Sequence, residues 1–284
     1  MTILMTGLCE KGADQIWKQC NDAMYAQGVT WLEEAAYAGD AEAWFFLGHC
    51  YSWGDGAVGF NEKKAYECYL RGASAGSARA VLGALRAGQY DEQMKQSARY
   101  SIEECYRQVR DAAEMGDVYA AWQMGEAVEW EDLADYMPQT ESAREQCLFW
   151  YERAADGGII PAMVKMGKCC QNGTYREKDE KEALRWANQC AASGEVWGLF
   201  QMGEHYRQEE DWEAAFQYDY AAAKQGSSRA MLYLGQMYLN GQGTERDIQA
   251  AVQALEGAAA RNEAESFEEL GNLFYQDELV ERDD

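Results

Sequence analysis

The stretch GSSRAMLYLGQMYLNGQGTERDIQAAVQALEGAAARN, residues Gly226–Asn262, decides the fold. It contains two segments whose apolar residues recur at helical spacing, and a short glycine-bearing loop joins them. The second segment ends on small residues and then Asn262, a residue type that often stops a helix in the left-handed conformation. The stretch therefore predicts a helix–turn–helix unit.

The closing signature of this unit recurs along the chain with a period of about 37 residues. Six closing glycines follow a pair of small residues in the same way: Gly39, Gly76, Gly116, Gly158, Gly194 and Gly226. After most closing residues a large apolar residue followed by glycine comes at one fixed distance, as in Leu47-Gly48, Met124-Gly125, Met166-Gly167, Met202-Gly203, Leu234-Gly235 and Leu270-Gly271. A glycine inside a helix costs about 1 kcal/mol relative to alanine, so its recurrence predicts close contact between helices.

The start of the second helix in each unit is marked by a side chain that can accept a hydrogen bond from free backbone amides. Five units carry such a residue at the same distance before the closing residue: Asn61, Ser101, Asp179, Asp211 and Asp247. We expect these residues to be helix N-caps, and each unit to need a neighbour to bury its apolar face.

These shared anchors resemble those of the Sel-1-like repeat, a relative of the tetratricopeptide repeat with a glycine-bearing loop between its helices. The resemblance covers residues 12–275 and implies an all-α, right-handed α-solenoid of about seven helix–turn–helix repeats that binds other proteins or peptides. We predict one solenoid over residues 1–284, with a capping helix at 263–275 and an acidic tail at 276–284. The predicted repeats are 12–39, 40–76, 77–116, 117–158, 159–194, 195–226 and 227–262.

Charge and composition exclude several classes of partner. The chain has 49 acidic and 25 basic residues, a net charge of −24, which should repel the phosphates of nucleic acids and anionic membranes. No apolar run is long enough to span a bilayer, and the first residues lack the features of a secretory leader. We therefore expect a cytoplasmic protein of bacterial type, whose nine cysteines are thiols.

Motifs that look chemical fit the repeat better than they fit a catalytic or cofactor site. The letters GDGAVG at Gly54–Gly59 match a dinucleotide fingerprint, yet they fall where the interhelical loop of the repeat is expected. Two histidines leave few nitrogen ligands for zinc, and neither Ser-x-x-Lys nor Lys-Thr-Gly occurs. We expect no cofactor, no metal and no enzymatic activity.

The first helix of each repeat should line the concave groove of the solenoid. Fixed offsets from the glycine position then assign the partner-binding residues as Phe45, His49, Trp53, Arg79, Arg86, Tyr90, Tyr119, Trp122, Glu126, Trp130, Lys168, Trp197, Phe200, Arg207 and Arg229. The four tryptophans among them are predicted to form an aromatic track, and the five basic residues to make the groove less negative than the outer face.

This pattern favours a non-enzymatic adaptor or scaffold that binds a protein or peptide in its groove. The alternative hypothesis is an acidic inhibitor or immunity-type protein that neutralises a basic protein partner through its outer surface. The dependence of binding on salt would distinguish them, since long-range electrostatic attraction is screened by ions.

Overall fold

The computed structural model describes residues 2–18, 22–54, 58–130 and 143–282. These residues form sixteen α-helices and no strand. The chain divides into two compact units, Met1–Asp179 and Glu180–Asp284. The predicted all-α repeat architecture is confirmed, whereas one continuous array with the boundaries given above stays a prediction.

Most consecutive helices of each unit pack against one another. The first unit contains α1 (Thr2–Trp17), α2 (Asp22–Tyr37), α3 (Ala41–Trp53), α4 (Glu62–Ala75), α5 (Ala78–Arg86), α6 (Glu92–Ser97), α7 (Ile102–Glu114), α8 (Val118–Glu129), α9 (Ala143–Asp156) and α10 (Ile160–Asn172). The second unit contains α11 (Glu180–Ala192), α12 (Val196–Gln208), α13 (Trp212–Lys224), α14 (Ser228–Asn240), α15 (Ile248–Ala259) and α16 (Ala264–Arg282). In the first unit α6 packs against α4, and α7 packs against α5.

The predicted helix boundaries arise from local chemistry. The side chains of Asn61, Ser101, Asp211 and Asp247 each accept a hydrogen bond from a backbone amide in the first turn of the following helix. All seven closing residues have positive φ, and this includes Asn262 at 62°. The N-cap prediction is confirmed for these four residues and the prediction for the closing residues for all seven, and Asp179 directly precedes α11.

The recurrent helix glycines allow close packing of the second helix on the first. The ring of Tyr69 lies between Gly48, which is one of them, and Gly83 of α5, and a Cβ would come within 2.6 Å of the ring at Gly48 and 2.7 Å at Gly83. Equivalent contacts join Gly125 to Tyr151 and Gly235 to Leu255. The predicted role of the glycine position is thereby confirmed in these repeats.

The structure adds two helices to the predicted pattern. Helix α1 begins ahead of the first predicted repeat, 12–39, and pairs with α2, and the two approach closely where Gly12 faces the backbone of Gly28. In the predicted repeat 77–116, which lacks a glycine at the shared helix position, α5 stops after nine residues and the six-residue α6 follows. Asp91 caps α6 through its side chain.

The predicted loop at the GDGAVG motif lies partly outside the described residues, at positions 55–57. Gly54 has a φ of 71° and ends α3, as expected of an interhelical loop. The turn between α12 and α13 lacks a glycine, and Glu210 adopts a φ of 59° there.

Candidate functional site

Three side chains at one edge of the first unit form an alternating stack of two indoles and a guanidinium. Trp53 is the last residue of α3, Arg86 is the last residue of α5, and Trp130 follows α8. The Arg86 guanidinium carbon lies 5.2 Å from the ring centroid of Trp53 and 5.1 Å from that of Trp130. We call this group the Trp-Arg-Trp surface. It forms because the helices that carry it end at the same edge.

An ion pair holds the central arginine in place. Arg86 Nη2 donates to Glu126 Oε1 at 3.2 Å, and both side chains are largely buried. His49 Nε2 lies 3.9 Å from the other carboxylate oxygen of Glu126. A positive side chain also suits the last turn of a helix, where the backbone carbonyls carry negative partial charge. The Glu126 carboxylate and the two indoles therefore fix the position of the Arg86 guanidinium together.

The indoles themselves remain exposed. Trp53 is 52% exposed and Trp130 is 60% exposed. Apolar side chains that are exposed together in one patch can mark an interaction site. The stack thus offers rigid apolar surface whose shape is set before any partner arrives.

A cavity of about 170 Å³ adjoins the Trp-Arg-Trp surface. Its aromatic walls are Phe45, Trp53, Phe60 and Tyr69. Its polar lining includes His49, Ser52, Glu62, Arg86, Gln89, Gln123 and Glu126. The Ser52 hydroxyl donates to the Tyr69 hydroxyl at 3.2 Å, which orients that ring between its two glycines.

The middle of the predicted aromatic track is covered by the chain itself. Trp17, at the end of α1, is 2% exposed and packs on Phe46, His49, Tyr119 and Trp122, with centroid distances from 5.1 to 6.1 Å. The Tyr119 hydroxyl also donates to Asp14 of α1 at 2.7 Å.

Four of the residues assigned to the groove are consequently buried: Phe45, His49, Tyr119 and Trp122. The fixed offsets from the glycine position predicted that these side chains face the groove, but they did not take α1 into account as a neighbouring helix. These residues support the exposed surface from beneath and do not form it.

Arg79 and Arg207, two of the arginines assigned to the groove, form ion pairs within their own units. Arg79 pairs with Asp117 and, at 3.4 Å, with Glu42, whose pKa is raised by burial. In the second unit Arg207 pairs with Asp219 and stacks over Tyr233 at 3.7 Å. Both pairs leave less positive charge for a partner than the sequence analysis anticipated.

The remaining assigned residues differ in their exposure. Lys168 and Arg229 are exposed, whereas Tyr90, Trp197 and Phe200 are half-buried. Trp197, Phe200 and Arg229 belong to the second unit.

Asp219 stands where the neighbouring repeats place an apolar side chain. Its carboxylate packs against Gly203, the helix glycine of that repeat, and it is fully buried. Burial raises its pKa to about 6, although the hydrogen bond from Arg207 acts in the opposite direction. The buried ion pair replaces the aromatic or aliphatic contact seen at Gly48 and Gly235.

The thiols offer no reactive nucleophile in the described part of the chain. All eight described cysteines are buried. Burial raises the pKa of Cys68, Cys105 and Cys147 to about 12, which disfavours the thiolate that metal binding or nucleophilic attack requires.

Sequence reasoning missed Trp17, Phe60, Glu62 and Gln123. Phe60 precedes α4, Glu62 is the first residue of α4, and Gln123 lies on α8 at a position outside the chosen offsets. The sequence shows Trp17 as a large aromatic residue, which was the available signal. Its position relative to α8, however, depends on how repeats that are distant in sequence stack.

A search for related proteins places this architecture in a family. The Sel1 repeat profile matches residues 23–40, 41–77, 118–159, 160–195 and 228–262, more than half of the chain. This chain belongs to the Sel1 repeat family. The resemblance predicted from the recurrent anchors is therefore confirmed.

Relatives of this Sel1-repeat chain come from several bacteria. It is 28% identical over 168 residues to an uncharacterised protein of Neisseria meningitidis serogroup B, and the match covers 58% of this chain and 33% of that protein. This chain thus matches about a third of the length of that relative.

Two solved structures share the fold. A Sel1 repeat protein from Oxalobacter formigenes is 21% identical, with a TM-score of 0.53 over 95% of this chain and 87% of that chain. A protective antigen of uropathogenic Escherichia coli with an SLR fold is 20% identical, with a TM-score of 0.50 over 88% of this chain and 60% of that chain. At these identities the likeness concerns the fold alone.

Two further properties concern only the residues that the structure describes. None of their helices combines the length and the apolar character needed to cross a bilayer. Their His, Cys, Asp and Glu side chains form no group of three that could hold a metal ion.

Proposed function

We propose that this Sel1-repeat protein is a non-enzymatic adaptor or scaffold, and that its partner protein binds the Trp-Arg-Trp surface of the first unit. Sel1 repeats generally serve protein–protein interaction. The observation that carries the proposal is the pair of exposed indoles held apart by Arg86. Tryptophan and arginine are the residue types most enriched among side chains that dominate binding energy.

Preorganisation supports this choice of surface. Binding usually costs conformational entropy, because side chains that are mobile in the free protein become fixed at the interface. The two indoles are already held by stacking on Arg86, and Glu126 anchors that arginine. A partner that covers them loses little side-chain entropy on this side of the interface.

The adjoining cavity gives the surface a recess beside a raised aromatic ridge. A ridge and a recess together favour a protruding side chain of a protein partner over a flat or highly charged polymer. The net charge of −24 likewise disfavours nucleic acid and anionic membranes as partners. We further propose that the protein acts in the bacterial cytoplasm, where its buried cysteines remain thiols.

Affinity capture from the native host, followed by mass spectrometry and a binding measurement, tests the proposal. The double variant Trp53→Ala with Trp130→Ala removes both exposed indoles. It should lower the affinity for the captured partner by at least about tenfold, since anchor residues typically contribute about 2 kcal/mol or more. Phe267→Ala is the matched control, because Phe267 is 57% exposed and lies on the second unit. Equal affinities for the two variants would refute binding at this surface.

The acidic-inhibitor alternative rests on the same net charge of −24. It predicts a basic partner whose association slows steeply as salt rises, because the attraction acts over long range. If capture survives loss of both indoles and disappears at high ionic strength, the alternative replaces the adaptor proposal.

A further inference from the structure

We propose that the cavity beside the Trp-Arg-Trp surface binds an arginine side chain of the partner. This inference rests on the proposed function, because it names the residue that the partner inserts there. Aromatic walls, hydrogen-bond acceptors and negative charge meet in this one recess, and a guanidinium matches all three.

The aromatic walls suit a flat cation. Trp53 and Phe60 are both exposed at the cavity, with Tyr69 and Phe45 behind them. Guanidinium groups stack on aromatic faces and are more weakly hydrated than ammonium groups. The protein's own Arg86 already stacks on Trp53 at 5.2 Å, so this indole accepts a guanidinium in the folded state.

The polar lining is rich in acceptors. Gln89 Nε2 donates to the backbone oxygen of Glu62 at 2.9 Å, and Gln123 Nε2 donates to the backbone oxygen of Arg79 at 3.0 Å. A carbonyl can only accept, so each bond fixes the orientation of its amide. The Oε1 atoms of both glutamines are left without a donor from the described protein, and Gln123 is 5% exposed.

The charge of the lining also favours a cation. Glu62 and Glu126 line the cavity together with Arg86, and Arg86 is already paired with Glu126. The carboxylate of Glu62 is exposed at the entrance, where it can meet an incoming guanidinium. A guanidinium brings five N–H donors, whereas a neutral aromatic side chain brings one at most. The negative charge of the whole chain adds a long-range attraction for a basic partner.

The size of the recess limits it to one side chain. Its volume of about 170 Å³ is close to the roughly 150 Å³ of an engineered protein cavity that holds a benzene ring. Sites for drug-sized ligands are larger, from about 300 Å³ upward. The recess therefore suits one side chain of a protein partner better than it suits a free drug-sized ligand.

Nuclear magnetic resonance on isotope-labelled full-length protein tests this inference without knowledge of the partner. N-acetyl-L-arginine amide is titrated while the indole N–H signals are followed, with the Trp53 signal assigned through Trp53→Phe. We expect a saturable shift of the Trp53 signal, with an affinity at least about fivefold higher than that of the lysine analogue, because an ammonium cannot stack as a plane. N-acetyl-L-tyrosine amide should bind more weakly still. If the tyrosine or lysine analogue binds as well as the arginine analogue, or if the Trp53 signal does not respond, the inference is wrong.

A matched pair of charge variants separates local recognition from overall charge. Glu62→Gln removes the carboxylate at the cavity entrance, and Glu92→Gln removes an exposed carboxylate from the first turn of α6. Both change the net charge equally and both sit in the first turn of a helix. Glu62→Gln should lower the affinity for the arginine analogue by about threefold or more, as expected for loss of a nearby opposite charge, and Glu92→Gln should leave that affinity unchanged. Equal effects would contradict recognition in this cavity.

Failure of this inference is distinguishable from failure of the proposed function. If the arginine analogue does not bind, while loss of both exposed indoles still abolishes partner capture, the surface is correct and the arginine is wrong. If the analogue binds in the cavity and the variant without both exposed indoles still captures the partner, the arginine site stands and the adaptor surface is wrong.

Discussion

The indole rings of Trp17 and Trp122 lie with their centroids 5.7 Å apart, which joins the end of α1 to the middle of α8. Both side chains are buried, and His49 packs against each of them. Helix α1 is thus part of the core of the first unit, and it closes the central part of the surface that the aromatic track was expected to form. The surface that we propose for the partner therefore lies at the edge where Trp53 and Trp130 remain exposed.

Trp17→Ala should destabilise the first unit strongly. Removing a large buried aromatic side chain typically costs about 3–5 kcal/mol, because the lost contacts leave a cavity that the surroundings fill only in part. Trp53→Ala is the control with the same chemical change at an exposed site, and it should cost less than about 1 kcal/mol, the scale of an exposed cation–π contact. Urea unfolding followed by circular dichroism measures both, and similar losses would show that α1 does not contribute to the core.

Gly48→Ala should destabilise the protein although alanine favours helix. The added methyl group would come within 2.6 Å of the Tyr69 ring, which Gly83 confines from the other side. Overpacking of this kind typically costs about 1–3 kcal/mol. Gly271 occupies the same repeat position in α16 with no atom within 4 Å of an added Cβ. Gly271→Ala should therefore gain up to about 1 kcal/mol from helix propensity. Thermal unfolding of the two variants should shift in opposite directions, and shifts of the same sign would contradict the packing argument.

Glu210→Gly should stabilise the turn between α12 and α13. Glu210 has a φ of 59°, a conformation that costs a residue with a Cβ about 1–2 kcal/mol. Glycine removes this cost but loses more entropy on folding, so the net gain should be about 0.5 kcal/mol or slightly more. Its neighbour Glu209 has a φ of −82°, and Glu209→Gly should destabilise by a similar amount. Chemical denaturation that ranks the two variants in the reverse order would disprove the strain.

The Asp219 carboxyl should make stability depend on pH in the acidic range. Its pKa in the folded protein is raised to about 6 from the ordinary value of 3.8, so between these values the folded state binds more protons than the unfolded state. Stability attributable to this group therefore falls as pH rises through that window, and it is greatest below the unfolded pKa. As the pH is lowered from neutral to about 4, the free energy of unfolding of the unaltered protein should rise by on the order of 1–3 kcal/mol relative to that of Asp219→Asn.

Urea unfolding of the protein and of Asp219→Asn at a series of pH values measures that difference directly. Subtracting the variant cancels the titration of groups that the two proteins share. A difference in the free energy of unfolding that stays constant with pH would contradict a raised pKa for Asp219.

Much of the fold could be predicted because its determinants are local. A side chain such as Asn61 caps a helix through amides two or three residues away, and a glycine such as Gly76 stops one through its own backbone conformation. Repetition of these short-range signals along the chain supplies the number and order of the helix pairs. The helix glycines also indicate close packing, since only contact with a partner such as Tyr69 explains their cost.

The site could be predicted only in part, because it depends on contacts between residues far apart in sequence. Periodicity identified Trp53, Arg86, Glu126 and Trp130 as residues that share a surface, and the structure brings these four together. Periodicity could not decide which aromatic residues remain exposed, because an offset count treats every repeat as if its first helix were uncovered.

The sequence by itself therefore determined the repeat, its helix boundaries and the family, while the tertiary structure alone decided which of the candidate binding residues are exposed. The stacking of the repeats sets the distance from α3 to α8, and that distance determines whether Trp17 reaches Trp122. Burial depends on this three-dimensional packing, in which small rotations between repeats add together. No local pattern in the chain encodes their sum.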